Sequence, residues 1–469
     1  MLNESAPDAF KLGRLRLVRL PPARLHLEPA SRRPQTVPVE LAAAVTDDYG
    51  VHLEFDQLHI KIDLLVASTL KPPSGITLSL DNSLPATSRA PSSSATFAFQ
   101  PARGPFHTLK LALTFAPPSP TRPVPPLCFR LSVLPDPSPS SAPSSSAATA
   151  AIRTIIDEPT QGPTETWDGH SYVFLGVTSG QVEVELGKGG KGAQDKVQSA
   201  LRFIHLAPPA VDSSASPPSA ASTSITILER PGLNNSTGQR LWDCALGLSA
   251  FLTLHPSSLD ASTSLADLLP PPDDASRPSK KPRLEPAVPS TKRRRIRVVE
   301  LGAGCALASL AAAHVLRSSE GVDTSVLATD VEATVETTLR ENLELNARPR
   351  EGEVAVRAGV LNWGKLEPAQ VDEVVDGAAS VTLLGTDILY NPSSHDLLLS
   401  TLLSVLRPPS SPSPSPPPPA TSTPRHRRAL IAYKRRTDGD DAFFSLAREG
   451  GLDVRQVWAW GEVGVWAFE

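Results

Sequence analysis

Residues 298–313 read VVELGAGCALASLAAA. An apolar run carries the acid Glu300, turns on Gly302 and Gly304 around Ala303, and continues as an alanine-rich stretch. That is the pattern of a strand, a glycine turn and a helix start. The free N–H groups and positive dipole end of such a helix favour an anion or a nucleotide-like ligand, and glycine lets the backbone approach it closely. A dinucleotide fingerprint needs a further glycine one helical turn on, for close helix packing; Leu307 stands there. A phosphate-binding P-loop needs Gly-Lys-Ser/Thr after the turn, and none follows. Asp330, which closes VLATD, supplies a second group. An acid at that strand end can accept hydrogen bonds from both ribose hydroxyls; its alternative role is to cap the following helix.

These residues need a frame. Strands are expected at 294–304, 324–330, 352–361, 380–390 and 427–435, and helices at 306–317, 331–346, 393–407 and 440–451. In the second helix Val331, Val335 and Leu339 recur one turn apart, which predicts a shared apolar face. Alternating strands and helices predict a parallel sheet with covered faces. The last two apolar segments, 452–460 and 463–469, are joined by Gly461-Glu462 and predict a closing antiparallel hairpin. The fold class expected is therefore α/β, Rossmann-like, mostly parallel.

The first half differs. Segments at 51–65, 107–115, 171–186, 200–207 and 224–229 alternate apolar and polar residues, as half-buried strands do. Residues 1–222 are read as a β-rich region with Pro/Ser linkers, and 223–469 as the α/β domain. Tracts at 136–148 and 207–222, with insertions at 256–292 and 408–425, are expected to be disordered, because they bury too little apolar surface to offset chain entropy. The 49 prolines cluster in those tracts.

The formal charge of −4 gives no reason to expect nucleic acid as a partner. Cys128, Cys244 and Cys305 are odd in number and widely spaced, with no metal-ligand pattern, so no metal is expected and a reducing compartment fits. The N-terminus has no apolar signal region. No apolar run reaches the ~20 residues of a membrane span. A cytoplasmic protein is expected. Nuclear import is a second reading, since KKPR (280–283) and KRRR (292–295) are similar to a bipartite import signal; alternatively Arg293 to Arg297 solvate a strand entrance.

Glu300-x-Gly302-x-Gly304 resembles motif I of S-adenosylmethionine-dependent methyltransferases. Four further elements sharpen the resemblance: LWDCALGLSAFL (241–252), GVLNWG (359–364), TDILY (386–390), and AYKRR (432–436) followed by Phe443-Phe444. In this order they resemble the family 16 protein-lysine methyltransferases, the methyltransferase-21-like group, over 225–469. The resemblance implies a seven-stranded methyltransferase sheet and S-adenosylmethionine as cofactor, held by Glu300, Gly302, Ala303, Gly304 and Asp330. Trp242 would pack on the cofactor, Trp363 would flank its adenine, and Thr386 would contact it through the backbone. Asp387 and Tyr390 would face the methyl group and the incoming amine. The alternative for both tryptophans is core packing, for Tyr390 the closure of a turn before Pro392, and for Tyr433 and Lys434 a structural place.

The function implied is protein-lysine N-methylation, with elongation factors or chaperone-type ATPases as substrates. DILY lacks the proline-rich grip of enzymes that methylate planar adenine or amide nitrogen, which disfavours those substrates. The alternatives are another protein side chain, a small-molecule amine, or a cofactor-binding protein without enzymatic activity. Oligomeric state is not legible.

Overall fold

The computed structural model describes residues 10–29, 31–55, 57–80, 92–117, 123–134, 165–167, 170–187, 199–206, 223–230, 237–264, 294–316, 322–347, 354–407, 426–437 and 439–469. The tracts at 136–148, 207–222 and 408–425, and the basic run 280–283, lie outside them. The chain divides into two compact units, one of Met1–Ile204 with Thr226–Ser236, the other of His205–Ile225 with Thr237–Glu469.

The first unit is built of strands. They are β1 (Phe10–Arg19), β2 (Arg24–Leu27), β3 (Gln35–Thr46), β4 (Leu58–Val66), β5 (Ile76–Leu80), β6 (Ser94–Phe99), β7 (His107–Phe115), β8 (Leu127–Val133), β9 (Glu165–Trp167), β10 (His170–Leu175), β11 (Val177–Ser179), β12 (Glu183–Leu186), β13 (Ala200–Leu206) and β14 (Thr223–Glu229). Two six-stranded sheets form, ordered β5-β7-β3-β1-β10-β9 and β14-β13-β11-β8-β4-β6. Both contribute to one apolar core: Leu15, Leu41 and Leu111 from the first sheet, Ile60, Leu64 and Phe129 from the second. The strand expected over 51–65 begins only at Leu58, because 47–50 form a turn and Val51 is exposed.

The second unit holds a seven-stranded sheet, ordered β17-β16-β15-β18-β19-β21-β20. Its strands are β15 (Arg294–Leu301), β16 (Val322–Asp330), β17 (Val356–Val360), β18 (Ser380–Thr386), β19 (His426–Lys434), β20 (Val454–Trp460) and β21 (Val463–Phe468). The first five run parallel, and β21 pairs antiparallel with both β19 and β20. Continuous apolar runs such as 429–432 are buried, as strands covered on both faces require. The order reverses between β15 and β18, and in open α/β sheets ligands bind outside the carboxyl ends of strands at such a point. Register brings those ends level, with Leu301 opposite Thr329 on one side and Gly385 on the other.

The helices are α1 (Asp243–Leu254), α2 (Leu307–Val315), α3, α4 (Pro368–Val375), α5 (His395–Leu406) and α6 (Ala442–Glu449). α3 runs through Glu332–Thr334, Val335–Leu339 and Arg340–Leu345, its middle turn wound as a π-helix. α1 is buried from Asp243 to Thr253, as an all-round apolar helix must be. It packs on α2, β19 and β21.

Three expectations are corrected. Residues 256–264, taken as part of a disordered insertion, include a 3₁₀ turn at Pro256–Leu259 with Leu259 and Ala261 buried. Tertiary hydrogen bonds hold this polar segment: Ala261 N–H donates to Ser380 Oγ at 2.8 Å, and Thr382 Oγ1 donates to the Leu259 carbonyl at 2.9 Å. Val331 does not share the buried face of Val335 and Leu339; it precedes the helix in extended backbone and is 50% exposed. Arg297 does not solvate a strand entrance. It is buried, and its guanidinium donates to the Val374 carbonyl and Ser325 Oγ.

Among the described residues no helix is long and apolar enough to cross a membrane. Phe443 of α6 is fully buried, with its ring edge-on to His395 of α5 and tilted against Phe468 of β21. Phe443→Ala removes that bridge, so the second unit should lose about 3–5 kcal/mol, read as a lower denaturant midpoint.

Candidate active site

The glycine turn sits at the carboxyl end of β15. Gly302 (φ 63°) and Gly304 (φ 50°) are left-handed, and so is the non-glycine Ala306 (φ 63°) just before α2. A β-carbon on Gly302 would lie 3.0 Å from Ile388 Cγ2 and 3.1 Å from Trp363 Cζ2; one on Gly304 would lie 3.2 Å from the Gly238 carbonyl. Conformation and space therefore both require glycine. Buried Ala303 is tied to the next strand, its N–H donating to the Thr329 carbonyl at 2.9 Å.

Asp330 ends β16 beside this turn. Its Oδ2 accepts from the Gly304 N–H and its Oδ1 from the Val331 N–H, each at 2.8 Å. The N-cap residue Val331 makes no side-chain cap, and the Asp330 carboxylate joins the glycine turn to the start of α3, where the Thr334 hydroxyl also bonds it. Burial raises its pKa against those two N–H donors. Glu300 is fully buried; its Oε2 accepts from the Ser309 N–H at 2.9 Å and the Ser309 hydroxyl at 2.6 Å. Burial pushes its pKa up to about 7, opposed by Ser309 and reinforced by the Asp330 charge. Oε1 is buried with no partner of good hydrogen-bond geometry among the described residues, although the Thr386 hydroxyl helps to hold the pKa down. A buried acceptor left open is costly unless a donor from a ligand completes it.

A second group gathers after β18. Asp387 has a left-handed backbone (φ 58°) and is buried. Its Oδ2 pairs with the Arg436 guanidinium, and its Oδ1 lies 3.7 Å from Cys244 Sγ on α1. Asp387 is thus engaged by the protein's own cation, which the sequence reading did not foresee. The same guanidinium lies over the Trp242 ring, 4.6 Å from its centroid. Trp242 Nε1–H donates to the Thr237 carbonyl at 3.0 Å, and Thr237 Oγ1 lies 3.3 Å from Tyr390 Oη. A ring of contacts results, from Asp387 through Arg436, Trp242 and Thr237 to Tyr390. Tyr390 itself remains 45% exposed.

Lys434 and Tyr433 are engaged by acids of the protein itself. Buried Lys434 pairs with Asp243 at 3.1 Å and Glu462 at 3.0 Å, and the Tyr433 hydroxyl donates to Asp441 at 3.0 Å. Trp363, in the loop after β17, lies against the glycine turn, and the next residue anchors the loop by Gly364 N–H donating to Thr401 Oγ1 at 2.8 Å. Thr386 ends β18 level with the turn. Contacts link Gly302, Gly304, Asp330 and Trp363 in one group and Trp242, Asp387 and Tyr390 in another, both at the carboxyl ends of the central strands. Arg436, Thr237, Gly238 and Val331 were missed as members. Arg436 stands in the AYKRR stretch and Gly238 in a turn-like STGQ, but no spacing rule marks Thr237 or Val331.

Fold and turn together define an α/β domain with a glycine turn at the switch point of its sheet. Residues 220–450 match the family model described as lysine methyltransferase, so the chain carries a domain of that family. It is an S-adenosylmethionine-dependent methyltransferase. Among solved structures the chain is similar to a methyltransferase from Pyrococcus furiosus, with 17% identity over 38% of this chain and 75% of that one and a TM-score of 0.25. It is also similar to the carbon methyltransferase DszA, with 15% identity over 48% of this chain and 53% of that one and a TM-score of 0.25. An arsenic(III) S-adenosylmethionine methyltransferase from Chlamydomonas reinhardtii matches with 16% identity over 37% of this chain and 61% of that one, TM-score 0.20. No curated protein matches.

Glu300 carries a pH signature. Its folded pKa of about 7 lies above the ordinary 4.5, so the folded protein binds this proton more tightly than the unfolded chain. The stabilisation is full below the ordinary value and is lost as pH rises through 7, by about 3 kcal/mol in all. In ligand-free protein, Glu300→Gln should flatten the fall in denaturation midpoint between about pH 5 and about pH 8. A slope unchanged by the substitution would refute the assignment.

Proposed function

We propose that the second unit transfers the methyl group of S-adenosylmethionine to the side-chain amine of a protein lysine. The observation that carries this is the loop after β18: Asp387, buried and paired beside the glycine turn, with Tyr390 exposed at the rim. No proline or amide lies between them to grip a planar nitrogen, whereas a slender alkyl amine needs only a narrow approach. Elongation factors and chaperone-type ATPases are the substrates the family resemblance implies, in the cytoplasm or the nucleus.

The bound cofactor supplies an electrophilic methyl group on a sulfonium. The open acceptor Glu300 Oε1 suits its ammonium group. The glycine turn at Gly302, Ala303 and Gly304 leaves room for its methionine arm, and Asp330 has acceptor capacity for the ribose hydroxyls. Trp363 and the exposed Val331 offer apolar surface to the adenine, Trp242 closes the side next to Thr237, and Thr386 offers backbone at the strand end.

A lysine must lose its proton before attack, which at pH 7 costs about 4–5 kcal/mol. Desolvation in the cleft lowers that cost. Tyr390 Oη orients the amine, and Asp387, on the loop beside the glycine turn, lines its approach.

Purified protein, tritiated S-adenosylmethionine and a cell lysate, resolved on a gel, test this reading. A discrete band stable to alkali and absent with Asp387→Ala is expected. Cofactor binding by calorimetry without any labelled protein would transfer the assignment to a small-molecule amine. Separately, Gly302→Val should weaken cofactor binding about tenfold or more, with circular dichroism unchanged, because its side chain would press on Ile388 and Trp363.

A further inference from the structure

Arg436 has no role in the reading above, yet it is among the most firmly held side chains at the cleft. Its backbone N–H donates to Asp440 Oδ2 at 3.0 Å. The fully buried Asp440 carboxylate also accepts from the Thr437 N–H at 3.1 Å and the Thr437 hydroxyl at 2.5 Å. The guanidinium is fixed between the Trp242 ring and the Asp387 carboxylate, with 12% of the side chain exposed. Backbone and guanidinium of Arg436 are thus both engaged.

The pairing matters for the amine. An unopposed Asp387 carboxylate beside the transfer position would attract a protonated amine and raise its pKa, opposing the deprotonation that attack requires. Arg436 cancels that charge. A cation next to a reacting amine favours its neutral, nucleophilic form. We propose that Arg436 is a positioning residue that holds Asp387 as a neutralised pair, so that the cleft selects the uncharged amine. The proposal rests on Asp387 facing the transfer position. That placement is supported by Ile388, the next residue, whose Cγ2 lies 3.0 Å from a β-carbon on Gly302. Among the described residues, the titratable groups next to the pair are Cys244 on α1, Asp440, the Lys434–Asp243–Glu462 cluster and the Arg435–Asp441 pair, with Tyr390 reached through Trp242 and Thr237.

The test needs no protein substrate. Sinefungin is an analogue of the cofactor in which a carbon bearing a primary amine replaces the methylated sulfur. S-adenosylhomocysteine carries neither charge nor amine there. Calorimetry on the full chain gives the ratio of their affinities as a function of pH. Arg436→Gln should favour sinefungin by about tenfold near neutral pH, equivalent to one pKa unit. The gain should vanish above the amine's own pKa. It should also vanish in the double variant Arg436→Gln with Asp387→Asn, and Arg436→Lys should keep the wild-type ratio. Unchanged S-adenosylhomocysteine affinity verifies folding of each variant. If Arg436→Gln weakens both ligands equally, or leaves the ratio and its pH dependence unchanged, the residue is structural and the proposal falls. If wild type binds both ligands but labels no lysate protein, the lysine reading fails, while the affinity ratio still decides the role of Arg436.

Discussion

The contact on which the cleft depends is the Arg436–Asp387 pair stacked on Trp242. Its three members come from the carboxyl end of β18, the segment after β19 and the entrance to α1. A buried ion pair adds little net stability, because desolvation offsets attraction, yet removing one partner strands a charge. Its effect here is geometric. It fixes Asp387 in a left-handed conformation beside the glycine turn and, through Thr237, ties the approach to α1 to Tyr390. The neighbouring Lys434–Asp243 pair repeats the link between the same two segments. The W-D and Y-K-R-R stretches, far apart in the chain, are thus two halves of one electrostatic clamp.

That clamp acts on backbone already under constraint. Four left-handed residues, Gly302, Gly304, Ala306 and Asp387, follow the adjacent strands β15 and β18. Two are not glycine, and such conformations persist only where surrounding structure enforces them. A sheet covered on both faces gives its strands little freedom, and α1 is buried along nearly its whole length. The strand ends are therefore held, and the turns between strand and helix carry the strain. The acids answer the same geometry. Asp330 accepts the Gly304 N–H of the turn on one oxygen and the Val331 N–H on the other, and Glu300 keeps one oxygen open.

The first unit has a different logic. Its two sheets share one core, and its buried Arg202–Glu229 pair, at 2.6 Å, joins neighbouring strands. Strand β1 pairs in parallel with β10, a contact between segments remote in sequence. β7 was legible because nine residues alternate cleanly, with the apolar ones buried. β1 and β3 were not, since buried Gly13 and Arg14 break the alternation in one and the continuous buried run from Leu41 to Thr46 ends it in the other.

Local pattern by itself determined the glycine turn, the acid that closes β16, the strand–helix alternation and the closing hairpin. Each rests on residues within a few positions of one another, where backbone sterics and hydrophobic period act directly. Tertiary structure alone decided the partners of the charged groups. Nothing near Arg436 in sequence says that it meets Asp387, 49 positions away, or that Lys434 meets Asp243, 191 positions away. It also decided that polar residues 256–264 pack against β18, that Arg297 is buried, and that Val331 is exposed at the cleft. The physical reason is range. Turns and periods are written in neighbouring residues, whereas desolvated charges find their partners only after the sheet has brought distant strand ends together.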